Sequence, residues 1–90
     1  MIYLYIRAQV VDYDRWREGY DLHAAAREAG GATSEAYVLR DSADPNDITA
    51  MMGWSSLEQA QAFAQSTSLH DAAQMAGVKR ISEIRFLQPS

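Results

Sequence analysis

The opening ten residues, MIYLYIRAQV, alternate, with Ile2, Leu4, Ile6, Ala8 and Val10 on one side and Tyr3, Tyr5, Arg7 and Gln9 on the other. A period of two sends successive side chains to opposite faces of an extended chain, so this segment reads as a strand. The constraint is that neither side is simply polar, since two tyrosines face away from the aliphatic residues. Two later runs repeat the pattern. In the strand expected over Thr33–Arg40, Tyr37 and Leu39 oppose Ala36 and Val38. In that over Ile48–Trp54, Thr49 and Met51 oppose Ile48, Met52 and Trp54. An antiparallel sheet can leave one face in water when that face is polar; a sheet of these strands needs a cover on both.

One cover is visible in the chain. From Tyr13 the period changes, and Tyr13, Trp16, Tyr20, His23 and Arg27 recur at steps of three and four, which puts them on one helical face. Asp12 is a good cap for this helix, Asp14 adds negative charge at its positive end, and Gly30-Gly31 stops it. Ser55 and Glu58 fit a capping box that opens a second helix through Leu57, Ala60, Phe63 and Ala64. Ser66-Thr67-Ser68 interrupts it, Leu69–Ala76 resumes it up to Gly77, and Ile81–Leu87 is the last strand. The turn-rich run Asp41–Asp47 joins the second and third strands as an antiparallel hairpin.

The resulting order, β-α-β-β-α-β, is that of a ferredoxin-like α+β domain: a four-stranded antiparallel sheet with helices on one face. A single domain over residues 1–90 leaves no sequence for a second layer, so another copy of the chain is expected on the other face, with Tyr3, Tyr5 and Tyr37 in the interface. The alternative is a monomer that exposes a large apolar sheet face, which is uncommon.

Composition narrows the partners. The formal charge is −4, with 8 basic against 12 acidic residues, and the basic residues are scattered. Phosphate-backbone binders gather a basic excess on one face, so nucleic acid and anionic membrane are not expected. An RNA-recognition domain has the same element order, but its aromatic, glycine-rich third strand is missing from Asp47–Trp54. There is no cysteine, hence no disulfide, thiol nucleophile or thiolate zinc site. His23 and His70 lie far apart and give no metal-ligand spacing, and no glycine-rich phosphate loop is present, so neither metal nor cofactor is expected. The first residues lack a basic leader, and no run approaches the ~18 apolar residues of a membrane span. The expectation is a cytoplasmic protein.

His23 is the residue best suited to chemistry. Helical spacing sets it beside Tyr20 and Arg27 on the inward face, and an imidazole moves protons near neutral pH. With Tyr20 as its hydrogen-bonding neighbour it can take a proton from an activated carbon or a phenol; the plainer reading is a packed histidine bound to a carbonyl or carboxylate. Arg27 either anchors an anionic group of a ligand, runs its methylenes along the core with its head in water, or caps the last carbonyls of the helix. Trp16, Met51, Met52, Trp54 and Phe63 are expected to wall a cavity for a planar ligand, with ordinary core as the alternative. His70, beside Asp71, is expected to be exposed.

Together these residues resemble a known group. Val11-Asp12-Tyr13 followed by Trp16, Tyr20, Asp21, His23, Arg27 and Gly30, then Arg40-Asp41, the Asp44–Asp47 turn, Trp54, Ala60–Phe63 and Ala76-Gly77-Val78, is similar to the dimeric α/β-barrel superfamily, in its branch related to antibiotic-biosynthesis monooxygenases. The resemblance implies two sheets packed face to face, with a ligand cavity between sheet and helices in each subunit. It also implies a choice among cofactor-free oxygenases on aromatic polyketides, haem degraders, cyclases and isomerases. Family oxygenases often carry a histidine where this chain has Phe63, and nearer relatives one where it has Ala8. Arg7, Phe63 and Ala73 stand where haem degraders resemble an asparagine, tryptophan and histidine pattern, which argues against haem degradation. Two functions remain open: a cofactor-independent monooxygenase- or cyclase-like enzyme on a small hydrophobic aromatic or polyketide-like molecule, and a non-catalytic ligand-binding or structural dimer. The first expects a cavity of roughly 300 Å³ or more.

Overall fold

The computed structural model describes residues 1–90. Its elements follow in the order β1 (Ile2–Val10), α1 (Tyr13–Leu22), α2 (Ala24–Ala29), β2 (Ala32–Arg40), β3 (Asp47–Trp54), α3 (Leu57–Ala64), α4 (Thr67–Met75) and β4 (Val78–Leu87). The strands form one antiparallel sheet in the order β2-β3-β1-β4, the split arrangement of the ferredoxin-like fold.

Register settles which side chains share a face. Leu4 pairs with Met52 and Phe86, Ile6 with Ala50 and Ile84, and Ala8 with Ile48 and Ile81. That face carries the helices and the core, in which Leu4, Val10, Ile48 and Trp54 are almost completely buried. On the other face a row runs across all four strands from Tyr37 through Met51 and Tyr5 to Arg85. The next row places Leu39, Thr49, Arg7 and Glu83 together. No element of the chain lies over this face, and Tyr37 and Leu39 are 48 % and 62 % exposed. Its polar groups pair among themselves: Arg7 holds Asp47 at 2.6 Å, and the Tyr3 hydroxyl donates to Glu35 at 2.6 Å. The Arg7 guanidinium draws the Asp47 carboxyl below its ordinary range.

Three local expectations are corrected. The first helical stretch is not continuous, because His23, at φ −90° and ψ 3°, separates α1 from α2. The cap of α3 is Ser56, whose Oγ accepts from the Gln59 amide at 3.2 Å, while Ser55 turns back to the Gly31 carbonyl. Beside that contact, a Cβ on Gly31, where φ is +112°, would lie 2.5 Å from the Gln59 side chain. The last strand begins at Val78, not Ile81, and passes two irregularities opposite Arg7–Val10. Ser56→Ala should therefore lower stability by about 1 kcal/mol, the usual worth of such a cap, measured by urea denaturation. An undiminished midpoint would mean that another group caps α3.

Candidate functional site

The cavity lies between the helix-facing side of the sheet and α1 to α4, and it is built almost entirely from apolar residues. Ala8, Ala50 and Met52 form part of its floor; Phe63 closes it from α3, Leu69, Ala72 and Ala73 from α4, and Ala76 from the end cap of α4. The side chains on its wall that carry nitrogen or oxygen are Trp16, Tyr20, His23 and Arg27, all from the α1–α2 stretch. Their spacing in sequence gathers them on one helical stripe despite the break at His23. Trp16 stacks on Tyr20 with ring centroids 5.0 Å apart, and the Arg27 guanidinium sits 3.9 Å above the Tyr20 ring.

His23 stands at the rim. It lines both the cavity and an open groove between α1 and α4, and its Nε2 lies 3.0 Å from the Ser68 Oγ. This contact ties the α1–α2 joint to α4. Partial burial, helped by the positive charge of Arg27, pushes its pKa below the ordinary histidine value. The shift favours the neutral ring, the form a base needs. The Tyr20 hydroxyl is buried and finds no protein partner, a condition that costs about 1–3 kcal/mol unless something else fills it.

Arg27 departs from the expectation of a solvated head group. It is 9 % exposed, and its Nη1 donates to the Tyr20 carbonyl at 2.9 Å across the helix joint. It thus caps a carbonyl in the last turn of α1, not the last carbonyls before Gly30 as expected. Met51, expected on the wall, lies instead on the uncovered face of the sheet, because it alternates with Met52 along β3. Trp54 also departs from expectation. It is fully buried but does not reach the cavity; it backs Phe63, with ring centroids 4.8 Å apart. His70 is exposed, as expected.

Two further features were not anticipated from sequence. Ser68, the partner of His23, falls in the Ser66-Thr67-Ser68 run that the sequence marks only as a helix interruption, and it lies within α4. The α4 wall was also missed, although Leu69, Ala72, Ala73 and Ala76 follow helical spacing. A Cβ on Gly19 would lie 2.9 Å from the Ala76 Cβ, so glycine lets α1 and α4 close over the site. That closeness makes the cavity small, about 80 Å³. It is well short of the size expected for a bound polyketide.

This arrangement of sheet and helices has counterparts among solved structures. A protein from Bordetella bronchiseptica named for antibiotic biosynthesis monooxygenases superposes with a TM-score of 0.81 at 13% identity, over 99% of this chain and 96% of its own. The chain has the fold of the antibiotic biosynthesis monooxygenases. A similarly named protein from Chloroflexus aurantiacus gives 0.72 at 20% identity, covering 100% of this chain and 94% of its own. SnoaB, a cofactor-independent oxygenase from Streptomyces nogalater, gives 0.79 at 12% identity, over 99% and 92%. No family model and no curated protein matches the sequence. No helix is long and apolar enough to cross a membrane.

Proposed function

We propose that the chain forms a cytoplasmic homodimer through its uncovered sheet face and binds a small hydrophobic, aromatic or polyketide-like molecule in the cavity, as a cofactor-independent monooxygenase- or cyclase-like enzyme. The observation that carries this reading is the concentration of Tyr20, His23 and Arg27 on one wall of an otherwise apolar cavity. His23 takes a proton from an activated carbon or a phenol of the ligand, and the Tyr20 hydroxyl donates a hydrogen bond to the anion that forms. Trp16, Met52 and Phe63 hold the flat body, with Trp54 supporting Phe63 from behind. The fold shared with SnoaB supports the class of activity, not the substrate.

The cavity must widen to admit a ring, since an engineered site of about 150 Å³ is what holds one benzene. The cheapest movement is that of α4, which contributes no buried residue of its own and is tied across the site by the His23–Ser68 contact.

His23→Ala should leave the fold intact and lower turnover by about 10²–10⁴-fold, the usual contribution of a positioned base. The assay is oxygen uptake and product formation over a panel of phenols and activated methylene compounds. In the unmodified protein, activity should fall on acidification with an apparent pKa below the ordinary ~6.5 of histidine, because the neutral ring is the base. An equal rate in the variant on a turned-over substrate would remove His23 from the mechanism. Recovery of a bound ligand unaltered after long incubation would instead favour the non-catalytic binding dimer.

A further inference from the structure

We infer that the ligand of this cavity carries a carboxylate, and that Arg27 receives it; the inference rests on the small-molecule reading of the site and adds the charge of the molecule. Arg27 is the one charged residue buried in the chain. A guanidinium offers five N–H donors, and the structure gives Arg27 a single hydrogen bond, to the Tyr20 carbonyl. The two ion pairs of the chain, Arg7–Asp47 and Arg17–Asp21, leave it out. Asp21 is near enough to favour the Arg27 charge, but its carboxylate is held by Arg17 at 3.1 Å.

Buried charges are normally paired, because desolvation without a partner costs several kcal/mol. Arginine does not escape that cost by losing its proton. The fold therefore keeps a mostly buried cation whose remaining donors make no protein hydrogen bond and retain only slight solvent contact, and capping one carbonyl does not require this. The guanidinium is held 3.9 Å from the centre of the Tyr20 ring, and its planar fork suits two-pronged pairing with a carboxylate.

The surroundings decide where such an anion goes. Arg27 lines the cavity on one side and an open groove between α2 and β2 on the other. The groove also carries Glu28 and Glu35, which repel an anion. No acidic side chain lines the cavity, and the unpartnered Tyr20 hydroxyl belongs to the same wall. A carboxylate is thus favoured on the cavity side, with the apolar body of the ligand against Met52 and Phe63.

The test compares matched pairs that differ in charge and hardly in shape: butyrate with butyramide, and benzoate with benzamide. Affinities are measured by calorimetry, and position by the NMR shift of the Trp16 indole N–H, which belongs to the cavity and not to the α2–β2 groove. At least one carboxylate should bind about tenfold or more tightly than its amide, a difference of about 1.4 kcal/mol, and should move the Trp16 signal. Arg27→Met, which keeps an apolar stem, should abolish the preference. Should that variant not fold, the comparison within the unmodified protein decides alone. Equal affinity for acid and amide, with both moving the Trp16 signal, overturns the carboxylate and leaves the small-molecule reading standing. Tighter acid binding that leaves Trp16 unmoved, or a preference that survives in Arg27→Met, also overturns it. Binding of neither member of either pair overturns both.

Discussion

Met51→Glu should convert the proposed dimer into a folded monomer of 10.0 kDa, weakening association by more than about a thousandfold. Met51 lies on an inner strand, paired with Tyr5 on one side and Tyr37 on the other, at the middle of the face that no element covers. In a two-fold interface one substitution acts twice, because the same patch is presented by both copies. A charge buried without its partner costs about 3–5 kcal/mol, and about 4 kcal/mol is already three orders of magnitude in Kd. The core lies on the opposite face, so the monomer should keep its circular dichroism and a cooperative melt. Sedimentation equilibrium reads the mass. An unmodified chain that sediments at 10.0 kDa at high concentration would remove the interface itself, and with it the reason for a sheet apolar on both sides.

That two-sidedness was legible in the sequence because strand periodicity is a local property. Once Ile2, Leu4 and Ile6 are assigned to one face, Tyr3 and Tyr5 have only the other, whatever the rest of the chain does. The stripe of Trp16, Tyr20, His23 and Arg27 was legible for the same reason. The break at His23 was not, since neither glycine nor proline marks it and the Arg27 hydrogen bond across it is a tertiary contact. At the start of α3 the sequence offers two equivalent frames, Ser55 with Glu58 and Ser56 with Gln59. Only the path out of β3 chooses the second. The volume of the cavity was equally hidden. It depends on how closely Gly19 lets α4 approach, and no count of apolar residues contains that distance.

Trp54 shows most sharply how depth differs from facing direction. It shares the helix-facing side with Met52 and was expected beside it on the cavity wall, but it lies at the end of β3 behind Phe63. Its work is therefore structural. Trp54→Ala should cost about 3–5 kcal/mol through lost burial and the void left behind. Domains of this kind hold about 5–15 kcal/mol in all, and each kcal/mol moves the melting temperature of such a chain by about 4–8 °C. The variant should melt at least about 12 °C lower, or be unfolded at room temperature. Trp54→Phe separates packing from hydrogen bonding. The indole Nε1 is buried with no protein acceptor, so its removal takes away a donor that was already unsatisfied. Phenylalanine should consequently recover most of the loss, which differential scanning calorimetry can measure. A Phe variant as unstable as the Ala variant would mean that the indole N–H is bonded after all, and that Trp54 holds more than the back of Phe63.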